Sequence, residues 1–230
     1  MPTIKEMFTV LDDFLKERPV YEYLDEGLHK QTIEHTIMTA YGFDYHIDPF
    51  IVELYSWHNG VSEEFFDKPC FTLGDIWLFD MLSLLSLEDS IKYARALTRD
   101  FSERSPDEPR YFHNDPQNIL PILTSYTGQW LFIFLDDYSQ KGYTPVWILD
   151  SPLYINRPDD DFSDYMQKFD SIETMFLTFY TAITQKIISS ADRKMNRVAY
   201  RKIGLKLNPQ SEFWKYNQYV SYDSNNIRLD

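Results

Sequence analysis

The order of periodic segments along the chain predicts an α+β domain, a largely antiparallel sheet packed against several helices. Helical patterns dominate the first hundred residues, two long apolar strands follow, and a further helical pattern closes the series without a regular strand–helix–strand alternation. Hydrophobic residues make up 43% of the 230 and aromatic ones 17%, which is ample material for a ring-rich core. After about residue 191 the pattern changes. The expected organisation is therefore a domain over 1–191 with a helical or irregular C-terminal extension over 192–230.

The first helix spans about residues 3–17. Ile4, Met7, Phe8, Leu11, Phe14 and Leu15 share one face, Thr3 and Glu6 have capping-box spacing, and Pro19 stops it. A second runs from about 31 to 41, with Ile33, Ile37, Met38 and Tyr41 inward and Gly42 as its stop. The third opens at Asp48-Pro49, an N-cap followed by proline, and carries the stripe Phe50, Ile51, Leu54, Tyr55 and Trp57. Asn59-Gly60 falls where a left-handed helix stop is expected, with His58 belonging to that turn.

Residues 75–79 read as a strand, and Ser86 with Asp89 suggests a capped helix over about 87–100. A proline-bearing polar loop over 102–118 follows. The runs 130–135 and 145–149 read as an antiparallel pair joined by a long loop with Gly142. The Asp-rich loop containing Asp159, Asp160, Asp161 and Asp164 precedes what reads as the longest helix, about 171–190, with Asp170 and Glu173 at capping-box spacing. Beyond it, 192–206 is basic (Arg193, Lys194, Arg197, Arg201, Lys202, Lys206) and the tail is aromatic.

Several chemistries lack a foothold. Seven glycines are too few and too scattered for a phosphate-cradling loop, and no G-x-S-x-G elbow is present. No two of the five histidines have zincin spacing. Asp44, His46 and Asp48 alternate in a way that could ligate a metal, but so short a cluster is more often a solvated loop, and no metal is expected. Asp136 and Asp137 are the best-placed carboxylate pair, but neighbours on a strand point to opposite faces. Cys70 has no internal disulfide partner and no nucleophile signature around it. The N-terminus lacks a signal-peptide pattern and no apolar run reaches membrane-spanning length, so a cytoplasmic location is expected.

Acidic residues number 36 against 22 basic, a net charge of −14. Such a field disfavours nucleic acid and anionic membranes as partners, and it attracts basic ones or simply maintains solubility.

The segment Asp48-Pro49-Phe50-Ile51-Val52-Glu53-Leu54-Tyr55-Ser56-Trp57-His58-Asn59-Gly60 resembles the leucine-proline … leucine-tyrosine-x-tryptophan-x-asparagine-glycine signature of the SUKH superfamily. Leu85–Ser90, Leu120-Pro121-Ile122 and Pro145-Val146-Trp147 resemble later landmarks of the same family, so the likeness covers roughly 30–190. One departure is the scarcity of glycine before Pro145, where only Gly128 lies near Trp130. The resemblance implies an α+β fold and a protein-binding role with no catalytic centre, cofactor or metal. In bacterial members a common role is to bind and neutralise a cognate toxin, often a basic nuclease; fungal members regulate cell-wall synthesis as scaffolds. On this reading Leu54, Tyr55, Trp57, Asn59, Gly60, Pro145 and Val146 are structural. The acidic loops at Asp136, Asp137, Asp159, Asp160 and Asp161 are the expected contacts for a protein partner such as a basic toxin domain.

Overall fold

The computed structural model describes residues 1–42, 46–62, 83–102, 116–124, 129–149, 165–189, 194–216 and 227–228. The Thr3–Glu6 capping box forms as the spacing predicts and starts α1 (Ile4–Leu15), whose buried stripe is Met7, Phe8, Leu11, Phe14 and Leu15. A 3-10 turn over Pro19–Tyr23 leads into the short strand β1 (Leu24–Glu26). Helix α2 (Lys30–Tyr41) ends at left-handed Gly42. Helix α3 (Pro49–Trp57) is capped by Asp48, whose carboxylate accepts from the Phe50 amide at 2.9 Å.

The expected helix stop at Asn59-Gly60 is a strand instead. Helix α3 ends at Trp57, His58 is already extended, and β2 (His58–Val61) pairs antiparallel with β1. The expected strand over 75–79 lies outside the described residues.

Five strands form the main antiparallel sheet, in spatial and chain order: β3 (Ser83–Leu84), β4 (Ile119–Thr124), β5 (Trp130–Phe134), β6 (Val146–Leu149) and β7 (Tyr165–Phe169). The predicted 130–135 and 145–149 pair is its centre, with Leu131 opposite Ile148 and Phe132 opposite Trp147. Leu131, Ile133, Val146 and Ile148 join the main core with α1, α3 and the helix α6 described below. Phe132 and Phe134 pack on the other face with Ile119, Trp147 and Leu149. A sheet buried on both faces reads as a continuous apolar run, as these strands do.

The connection between β5 and β6 holds a short helix, α5 (Asp137–Lys141), closed by left-handed Gly142. Helix α4 (Leu87–Ser102) lies between β3 and β4 in the chain and, at 16 residues, exceeds the 13-residue α6 (Ile172–Thr184) that was expected to be longest. The cap of α6 is Ser171 with Thr174, one residue after the expected Asp170–Glu173 box. Its end at Thr184 is marked by Lys186 at φ +55°.

The basic segment is no appendage to a finished domain. Strands β8 (Ile188–Ser189), β9 (Lys194–Met195) and β10 (Ile227–Arg228) make a small antiparallel sheet. Helices α7 (Arg197–Leu207) and α8 (Glu212–Tyr216) follow β9, and Met195, Tyr200, Ile203 and Trp214 belong to the same core cluster as α1 and the main sheet. The expected boundary at 191/192 therefore does not separate two packing units. The physical reason is a polar clasp along the edge of β7: Ser211 Oγ lies 3.0 Å from the Gln167 carbonyl and 2.9 Å from that of Lys168, and Asn208 Oδ1 accepts from the Asp170 amide at 3.0 Å. No helix among the described residues is long and apolar enough to cross a membrane.

Candidate functional site

The junction of α1, β1 and the α3–β2 turn gathers the most chemistry among the described residues. Because α3 stops at Trp57 and His58 is extended, these two consecutive side chains both reach the Asp12 carboxylate of α1. Trp57 Nε1 donates to Asp12 Oδ1 at 3.2 Å, and His58 Nε2 lies 3.0 Å from the same oxygen. Tyr21 Oη donates to Oδ2 at 3.3 Å, where Lys16 Nζ also approaches to 3.4 Å. Behind them the Trp57 ring stacks on Phe8 with centroids 4.9 Å apart. Burial acts to raise the Asp12 carboxyl, but the donors from His58, Trp57 and Lys16 together outweigh it and hold the group below the ordinary carboxylate range. Burial and the Asp12 charge push the Tyr21 phenol up.

An Asp–His pair invites an acid–base reading, yet the geometry works against one. The second ring nitrogen of His58 is 3.2 Å from the Asp25 carbonyl, so both nitrogens are engaged with protein oxygens. The cluster is a cross-link that joins α1, the 3-10 turn, β1 and β2. Around it the side chains of Asp13, Glu17, Glu22, Asp25 and Glu26 are exposed; Lys16 Nζ pairs with Asp13 at 3.0 Å, and Arg18 is the other nearby cation in sequence. Arg18 lies over the Phe14 ring at 4.6 Å. The result is a carboxylate-rich corner whose shape is set by a buried aromatic and hydrogen-bonded base.

The signature residues fall into place beside it. Leu54 and Tyr55 are buried, and the Tyr55 hydroxyl meets Ser90 Oγ at 2.8 Å, tying α3 to α4. Asn59 Oδ1 accepts from the Leu87 amide at 3.0 Å, supplementing Ser86 Oγ, which accepts from Asp89 N at 3.0 Å. Gly60 has φ +93°, and a Cβ there would lie 2.2 Å from Ser86 N. Asn59-Gly60 thus docks the start of α4 against β2 rather than ending α3. Pro145 and Val146 are buried at the start of β6. Trp57 is only partly buried, at the rim of the corner rather than within the core.

The loop acids behave differently from expectation. Asp137 is fully buried and pairs with Lys141 at 2.7 Å, which places its carboxylate away from any partner. Asp136 is half-buried and accepts from Gln140 Nε2 at 3.0 Å. Both begin α5, where carboxylates favour the helix N-terminus. Asp159, Asp160 and Asp161 lie outside the described residues, as do Asp44 and Cys70. Asp48 is buried in its cap while His46 is exposed, so these two do not share a ligand position. Among the described residues no three His, Cys, Asp or Glu side chains group to hold a metal. The corner itself was legible only as a run of acids over 12–26; nothing in the sequence linked Asp12 to His58 across 46 positions. The chain matches no protein-family model and no curated protein sequence.

Proposed function

We propose that the chain is a cytoplasmic, non-catalytic protein-binding domain of the immunity type, which captures and neutralises a basic toxin domain through its carboxylate-rich corner. The observation that carries this reading is the set of exposed acids Asp13, Glu17, Glu22, Asp25 and Glu26 held around the Asp12–His58 cross-link. The resemblance of Asp48–Gly60 to the SUKH signature supports it, as does the net charge of −14. A field of that sign accelerates encounter with a cationic partner, and rigid support for the corner reduces the ordering cost on binding. No cofactor enters the role.

The test is calorimetry and cell protection with the toxin domain encoded beside the gene. Tight binding is expected, and Glu22→Lys combined with Glu26→Lys should slow association roughly tenfold at low ionic strength with little change in dissociation. Absence of both binding and protection would sink the proposal. A reproducible set of wall-synthesis or signalling partners, with no toxin gene nearby, would favour the regulatory-scaffold reading in its place.

A further inference from the structure

Helix α7 carries a charge pattern that the proposed function does not use. In the described segment 194–216, Lys194, Arg197, Arg201, Lys202, Lys206 and Lys215 stand against Glu212 alone, in a chain whose net charge is −14. The helix turns Tyr200, Ile203 and Gly204 inward onto α6 and the α8 tryptophan Trp214. Its outward face presents Lys202 and Lys206, one turn apart and both exposed, with Val198, exposed to 42%, one turn before Lys202.

Arg201 is occupied, donating to the Trp214 and Lys215 carbonyls at 3.2 and 3.1 Å. Arg197, Lys202 and Lys206 make no ion pair among the described residues. Like charges at i and i+4 destabilise an isolated helix. Here they persist with no carboxylate paired to them among the described residues. Helices α1 and α7 both pack on α6, so the acidic corner and the basic face are presented by two helices flanking a third.

We propose that the outward face of α7 docks on the acidic corner of a second copy of this chain. Both halves of the contact are present: cations with no ion pair among the described residues beside an exposed valine, and exposed Glu17, Glu22, Asp25 and Glu26, with the Lys16-paired Asp13, around Asp12. A nucleic acid fits less well. Two exposed lysines offer few phosphate contacts against the repulsion of the whole chain, and Val198 gains nothing from a phosphate backbone but can be covered by a protein surface. The contact joins two different patches, so it is heterologous; two copies satisfy it reciprocally, or a series extends it. It also occupies the corner proposed to meet a toxin, so self-association competes with that capture.

Sedimentation velocity on the full chain alone, without any toxin, tests this independently of the immunity reading. Self-association is expected at low ionic strength and dissociation at high salt. Lys202→Glu with Lys206→Glu should weaken the association constant roughly tenfold, and Glu22→Lys with Glu26→Lys should do the same. Mixing the two double variants should restore association, because each then supplies the charge the other lacks. All four positions are exposed, and an unchanged thermal midpoint shows that the variants are folded. A monomer at every salt concentration overturns the proposal, as does a wild-type association constant in either variant or a mixture that stays monomeric. Loss of single-stranded oligonucleotide binding on lysine reversal, with a monomeric parent, would assign the face to nucleic acid instead.

Discussion

Asp48 and Asp12 are both withdrawn from water, yet their acidities move in opposite directions. Asp12 has donors from three elements and is held low. Its contribution to stability is present above its unfolded value and is lost as pH falls through the folded one. Asp48 is 3% exposed, and burial pushes its carboxyl up despite the hydrogen bond it accepts from the Phe50 amide. Folding therefore favours the protonated form, and that stability fades as pH rises through the folded value. Asn caps as well as Asp and carries no buried charge. Asp48→Asn is expected to be at least as stable as the parent at pH 7, with the difference vanishing below the unfolded carboxyl value, near pH 3. Asp48→Ala should cost about 0.5–2 kcal/mol through loss of the cap. Urea unfolding at both pH values separates the two effects.

At the scale of elements, the decisive event is the change from α3 to β2 between Trp57 and His58. Local rules favour a helix stop at Asn59-Gly60, since both residues tolerate left-handed backbone. Tertiary contact uses the same tolerance differently: positive φ at Gly60 brings β2 against the Leu85–Ser86 backbone, and Asn59 caps the neighbouring helix. Gly60→Ala forces a Cβ to 2.2 Å from Ser86 N and 2.7 Å from the Leu85 carbonyl carbon in a conformation that side chains resist. The expected loss is roughly 2–5 kcal/mol, combining backbone strain with overpacking. A change below about 0.5 kcal/mol in the denaturation midpoint free energy would show that β2 and α4 are not in contact this closely. The α6 start teaches a related lesson. Asp170 fits a capping box by spacing, but its carboxylate accepts from the Gln210 amide at 3.1 Å, leaving Ser171 as the cap.

For the whole molecule, the question is whether 192–230 is an extension or part of the fold. Trp214 is buried against Phe169 and Tyr200, with ring centroids 5.8 and 5.5 Å away, and the Gly204 backbone leaves room for its indole. A Cβ at Gly204 would lie 2.4 Å from that ring. Truncation after residue 193 should expose the edge of β7 and the apolar face of α6, giving an aggregating or unfolded product. The milder Gly204→Ala should lower stability by about 1–3 kcal/mol while leaving a cooperative transition. A truncated chain that remained monomeric and unfolded cooperatively at the parental midpoint would restore the two-part organisation.

Residue order alone determined the fold class, the helices expected from about residue 3, from about residue 31 and from Asp48, and the central strand pair, because caps, prolines and apolar periodicity act within a few residues of each other. It also determined the charge imbalance behind the proposed partner. The other three strands of the sheet were hidden, since β3 is two residues long, β4 carries Pro121 at its centre, and β7 follows an acid-rich loop without a strong alternation. Only the tertiary structure decided that Asp12 meets His58, that Asp137 turns inward to Lys141, and that Trp214 completes the core. Those outcomes depend on residues distant in the chain arriving at one place, and what a carboxylate or a glycine does there is set by which neighbours arrive with it.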